Sequence, residues 1–80
     1  MTSRQARVLL AVRDQQLAPD PLLGRLGPWL LDGDPTEWTL VTLVLRGLVA
    51  FDLDGEPWLT RTGESAAATL RAAVLTGARS

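Results

Sequence analysis

The sequence predicts a mostly α-helical single domain, residues 1–80, carrying one small β-hairpin. Three observations carry that expectation. Asp54-Gly55 stands between two apolar-rich runs in GLVAFDLDGEPWLTRTG, residues 47–63, and Asp-Gly so flanked is the strongest short signal for a tight two-residue turn. Asp34-Pro35-Thr36-Glu37 reads as a helix start: Asp34 caps, Pro35 fits the first helical position, and Glu37 reaches back as in a capping box. Leu, Val and Ala dominate the apolar content, which suits helices.

The elements follow in order. Helix one is expected over 3–17, because Thr2 and Gln5 have capping-box spacing and Ala6, Leu9, Leu10, Arg13 and Leu17 share a face. Arg13 fits that stripe by laying its stem along apolar surface. Helix two is expected over 20–27: Asp20 caps, Pro21 takes the first position, Leu22, Leu23 and Leu26 repeat at helical spacing, and Gly27-Pro28 stops it. Helix three spans 35–46, with Trp38, Val41, Val44, Leu45 and Leu48 inward. Thr36, Thr39, Thr42 and Arg46 lie on its outer side, and Leu40 and Leu43 lean outward too. The hairpin covers 48–60 and pairs Leu53 with Glu56, Phe51 with Trp58 and Ala50 with Leu59, leaving Pro57 where no ladder bond is needed. Helix four covers 61–76, capped by Thr60, with a small-residue stripe of Ala66, Ala67, Leu70, Ala73 and Val74.

Composition narrows the chemistry. There is no cysteine and no histidine, which excludes Ser-His-Asp and Cys-His catalysis and the usual zinc sites. No nucleophile with a convergent acid–base pair is visible, so no enzyme activity, catalytic residue, cofactor or metal is expected. Asp52-Leu-Asp-Gly-Glu56 resembles the start of a calcium loop, but its glycine is misplaced and Gly63 stands where the closing glutamate belongs. No apolar run is long enough for a membrane span, and the start lacks a signal-peptide pattern, so a cytoplasmic location is expected. A domain this small has a modest core, which favours oligomerisation.

Helix, helix, helix, hairpin, helix is the order of a winged helix-turn-helix. The chain resembles small winged-helix regulators of the MarR and PadR type across about residues 3–75. TSRQARVLLAV resembles their opening helix and LLGRLG the helix before the turn. LVLRGLV resembles the exit of the recognition helix into the wing, and LTRTG the Leu-Thr-x-x-Gly that leaves the wing. The resemblance implies three helices, a two-stranded wing and a C-terminal helix, with the third helix entering the DNA major groove.

Two features depart from that pattern. PWLLDGD lengthens the turn before the third helix. Residues 32–64 hold seven acids (Asp32, Asp34, Glu37, Asp52, Asp54, Glu56, Glu64) against two arginines (Arg46, Arg61), a net of −5, while the rest of the chain is +4. Wings that meet phosphate normally carry Arg or Lys.

Two functions are therefore expected in turn. The first is a small dimeric DNA-binding transcriptional regulator. It would read double-stranded DNA through Thr36, Thr39, Thr42, Arg46 and Arg61, with arginines of the first helix on the backbone, and dimerise through Leu9, Ala66, Ala67, Leu70, Ala73 and Val74. The alternative is a winged-helix protein-interaction module, such as an adaptor, antirepressor or polymerase-binding factor. It would present Phe51, Asp52, Asp54, Glu56 and Trp58 to a basic protein partner.

Overall fold

The computed structural model describes residues 2–24 and 27–77, with the side chains of the last helix described through Ala73. The order is α1 (Ser3–Arg13), β1 (Leu30–Leu31), β2 (Asp34–Pro35), α2 (Glu37–Leu45), β3 (Val49–Phe51), β4 (Pro57–Leu59) and α3 (Arg61–Gly77). Among the described residues this is a small mixed fold of three helices and two antiparallel strand pairs. No described helix is long and apolar enough to cross a membrane.

α1 opens on the expected capping box: Thr2 Oγ1 accepts from the Gln5 amide, and Gln5 Oε1 accepts from the Thr2 amide. It ends at Arg13, four residues short of the expected Leu17. Gln15 adopts a φ of +55°, and the Gln15 and Gln16 amides turn back to the Val12 and Ala11 carbonyls. That is a Schellman closure with glutamine where glycine is usual, so the sequence carried no stop signal. The buried face is Val8, Leu9, Ala11 and Val12, not the stripe through Arg13, whose side chain is exposed.

The expected second helix over 20–27 is not formed among the described residues of that stretch. Asp20 Oδ1 accepts from the Leu22 and Leu23 amides, as an N-cap would, but the chain makes one turn and Gly24 donates to the Asp20 carbonyl. Arg25 and Leu26 lie outside the described residues. Leu30 then exchanges backbone hydrogen bonds with Ala18 on one side and pairs with Pro35 on the other. Asp32 and Gly33 connect β1 to β2, both at positive φ, as a type I′ two-residue hairpin requires. The stretch expected to be a long turn is thus a second hairpin, and Asp34-Pro35 belongs to its return strand rather than to a helix cap.

α2 starts two residues later than expected, with Thr36 at the cap position and no side-chain cap bond. Thr36 is 1 % exposed: its amide and its Oγ1 both donate to the Trp29 carbonyl, at 3.0 and 2.7 Å. That double anchor rotates the helix. Leu40 and Leu43 are buried, whereas Trp38, Val41, Val44 and Leu45 are exposed, the reverse of the expected orientation. The exit matches expectation: Gly47 has a φ of +75°, Leu48 donates back to the Leu43 carbonyl, and the Leu48 side chain enters the core.

The second hairpin forms around Asp54-Gly55, but one residue out of the expected register. Val49 faces Leu59, Ala50 faces Trp58 and Phe51 faces Pro57. The loop has three residues, Leu53-Asp54-Gly55, because Asp52 Oδ1 accepts from both the Asp54 and Glu56 amides and Gly55 takes a φ of +79°. This register buries Val49 and Leu59 together, and a one-residue slip would separate them. Asp52 donates to the Glu56 carbonyl, so Pro57, one step on, still falls at a non-bonded position.

α3 starts where expected. Thr60 Oγ1 accepts from the Gly63 amide and donates to the Gly47 carbonyl, while the Thr60 amide donates to the Leu48 carbonyl. The core joins these pieces: Val8, Leu9 and Val12 of α1 meet Trp29, Leu31, Leu40, Leu43, Leu48, Val49, Leu59 and Ala67.

Candidate interaction surface

At 100° per residue, Trp38, Val41 and Leu45 form one stripe on α2, opposite Leu40 and Leu43. Trp38 is 79 % exposed and Leu45 81 %; Val41 and Val44 are partly exposed beside them. Glu37 and Thr42 flank the stripe, both exposed. Thr42 is occupied within the fold: it donates to the Thr39 carbonyl and accepts from Gln5 Nε2, which ties this flank to the start of α1.

The DNA-reading set expected from the sequence is divided by this rotation. Thr36 is withdrawn into the core, Thr39 is half-buried, and Thr42, Arg46 and Arg61 are exposed. Arg46 and Arg61 are the chain neighbours of Gly47 and Thr60, which are hydrogen-bonded to one another. Of the arginines of the first helix, Arg4 and Arg7 reach the domain's own first hairpin, whereas Arg13 is exposed. Arg4 Nη2 donates to the Pro35 carbonyl at 3.0 Å, and Arg7 stands 3.7 Å from Asp32, so both hold the first hairpin. Arg71 of α3 meets Asp14 at 2.6 Å, just past the end of α1.

Of the expected dimer residues, Leu9 and Ala67 are fully buried in the domain's own core. Ala66 and Leu70 pack against that core, Ala73 is exposed, and the side chain of Val74 lies outside the described residues. The stripe of the last helix thus serves first to pack on the fold, which corrects Leu9 and Ala67 as surface contacts.

Phe51 and Trp58 do not pair across the hairpin. The observed register puts them on opposite faces, each about half exposed. Asp52, Asp54 and Glu56 remain an exposed acidic tip, with the Asp52 carboxylate holding the loop. Leu53, at the tip, is fully exposed. Behind the hairpin an open groove of about 710 Å³ runs between the end of α1 and the start of α3. Ala11, Val12, Trp29 and Leu59 line it beside Trp58, and Asp52, Glu56 and Glu64 lie on it with Arg13. Trp29 Nε1 donates to the Gly55 carbonyl, pinning the hairpin loop over the first hairpin.

Trp29, Leu53 and the outward role of the α2 stripe were not singled out from sequence. One signal beside Trp29 was present, since Asp32-Gly33 is an Asp-Gly turn that pairs the strand following Trp29 with Asp34-Pro35.

No protein-family model matches the chain, and no curated protein or solved structure matches it.

Proposed function

We propose that this chain is a winged-helix-like protein-interaction module rather than a DNA reader. The observation that carries the reading is the outward face of α2, which presents Trp38, Val41 and Leu45 where a base-reading helix would present polar and cationic groups. Three further features support it. Thr36 is buried, so it offers no group to a base edge. Arg4 and Arg7 are engaged with the first hairpin. The hairpin tip carries Asp52, Asp54 and Glu56, which phosphate repels. The winged-helix likeness rests on α1, α2, the β3–β4 hairpin and α3 in order, and on the Leu59-Thr60-x-x-Gly63 joint; a turn and a hairpin stand where the second helix of that pattern would be.

Titration against random-sequence duplex DNA at low salt tests the reading. The wild type is expected to show no salt-dependent binding, and Asp54→Asn with Glu56→Gln is expected to confer none. Affinity that falls steeply with salt, and that Arg46→Ala and Arg61→Ala each weaken, would instead establish the DNA-binding regulator.

A further inference from the structure

We infer that Asp32-Gly33, the turn of the first hairpin, is a site of spontaneous backbone modification, at which Asp32 cyclises to a succinimide and reopens as isoaspartate. Two Asp-Gly pairs stand at hairpin turns in nearly the same local sequence, Leu31-Asp-Gly-Asp34 and Leu53-Asp-Gly-Glu56, so what separates them is the fold. The Gly33 amide has no hydrogen-bond partner among the described residues, and a Cβ on Gly33 would meet nothing within 4 Å. The Asp32 side chain is 81 % exposed, and its ion pair with the exposed Arg7, at 3.7 Å, holds it weakly. Asp32 also sits at a φ of +53°, so opening this turn relieves backbone strain. The loop at Asp54-Gly55 is tied down instead. The Gly55 amide donates to the Asp52 carbonyl at 3.0 Å, the Gly55 carbonyl accepts from Trp29 Nε1, and the Asp54 and Glu56 amides both donate to the Asp52 carboxylate.

Ring closure needs the Gly33 nitrogen to swing toward the Asp32 carboxyl, a rotation about the Asp32 ψ that opens the turn. Glycine sets no side chain against that approach. The nitrogen attacks Cγ of the neutral acid: the N–Cγ bond forms, and the amide proton leaves with the carboxyl hydroxyl as water. Water then adds to the ring. Cleavage of the N–Cγ bond restores aspartate. Cleavage of the bond from the same nitrogen to the Asp32 main-chain carbonyl carbon leaves the chain running through the side chain, as isoaspartate. Water is the only co-reactant, and the mass of the protein is unchanged. The product puts one extra backbone carbon into a two-residue turn, which no longer fits the pairing of Leu31 with Asp34. Since β2 leads directly into Thr36, the same change loosens the Thr36 anchor on Trp29 that aims α2.

Prolonged incubation of the intact protein in mildly acidic buffer, then trypsin digestion and fragmentation mass spectrometry, tests the inference. Cleavage after Arg25, Arg46 and Arg61 puts Asp32 on peptide 26–46 and Asp54 on peptide 47–61. Isoaspartate is expected at Asp32 at least about fivefold faster than at Asp54, the factor that one backbone hydrogen bond is worth. In urea, where both turns are lost, the two rates should converge. Equal rates in the folded protein, faster reaction at Asp54, no isoaspartate at Asp32 in the folded protein, or a difference that persists in urea would each overturn the inference. Asp32→Asn suits the same turn and should reach the same product faster, with loss of ammonia in place of water. Absence of isoaspartate from that variant would overturn the ring-closure route. The isoaspartyl fraction, separated by ion exchange, should show faster hydrogen exchange at the Thr36 amide than the parent, and unchanged exchange there would overturn the link from this turn to α2.

Discussion

Replacing Gly63 by alanine attacks the joint that fixes the hairpin to the last helix. A Cβ at this position would stand 1.9 Å from the Leu48 carbonyl oxygen and 2.8 Å from its carbon. Carbon and oxygen in close contact sit about 3.3 Å apart, so the two segments must separate by roughly 1.4 Å. Both neighbouring atoms are backbone, and no side chain can swing aside. The Thr60 amide bond to Leu48, now 3.1 Å, would stretch past its useful range, and the Thr60 cap on Gly63 would be disturbed with it. Overpacking of this kind costs about 1–3 kcal/mol and loss of a cap about 1 kcal/mol. Alanine's better helix propensity returns at most about 1 kcal/mol. The expected net loss is about 1–3 kcal/mol, a large share of the roughly 4–12 kcal/mol that a chain of this length holds at 0.05–0.15 kcal/mol per residue. Urea unfolding followed by tryptophan emission and far-ultraviolet dichroism measures it. Thr60→Ala in the same assay should cost about 1–2 kcal/mol through the cap and its bond to Gly47. A Gly63→Ala protein whose midpoint equals or exceeds that of the wild type would refute the close-approach argument.

Two further substitutions examine the anchors that aim the surface. Thr36→Val keeps the volume but removes the buried Oγ1 bond to Trp29, and should lower stability by about 1 kcal/mol in urea while leaving the helix content intact; an unchanged midpoint would show that this bond does not hold α2. Asp52→Ala frees the Asp54 and Glu56 amides, so their hydrogen exchange should accelerate while the global midpoint falls by less than about 1 kcal/mol, and unaltered protection at both amides would contradict the assigned loop.

What was legible in the sequence was local. The Thr2–Gln5 box, the Gly47 exit, the existence of the β3–β4 hairpin and the Thr60 cap each depend on residues within a few positions of one another. The failures are tertiary or degenerate. α1 stops at a glutamine held left-handed, for which no turn residue warned. Asp20-Pro21 supplied a real cap, but the apolar residues after it found no helix to continue, because Leu30 takes Ala18 as its strand partner. Two Asp-Gly dipeptides carried the same signal. The one at Asp32-Gly33 makes the two-residue turn, while Asp52 converts the one at Asp54-Gly55 into a three-residue loop and moves the register by one. In α2 the pattern itself was undecided. Trp38, Leu40, Val41, Leu43, Val44 and Leu45 put apolar groups on nearly every side of a nine-residue helix, so periodicity could not select the inner face.

What selected that face also explains why the surface stays apolar. The expected and observed inner faces lie roughly 140° apart around α2 at 100° per residue. Turning the helix by that angle would bury Trp38 and Leu45, which would each gain about 1.5–3 kcal/mol from burial. It would expose Leu40 and Leu43, which lose a comparable amount, and it would pull Thr36 from the Trp29 carbonyl. The hydrophobic terms nearly cancel, and the two hydrogen bonds at Trp29 decide. Trp29 is itself fixed at both ends of the problem, since its carbonyl holds Thr36 and its indole N–H holds Gly55 in the second hairpin. One buried tryptophan therefore sets the rotation of α2 and ties down the acidic tip that follows it. The exposed Trp38 and Leu45 add nothing to folding in this arrangement, and a contiguous apolar stripe left outward on a rigidly aimed helix is the kind of surface that binding, rather than stability, makes use of.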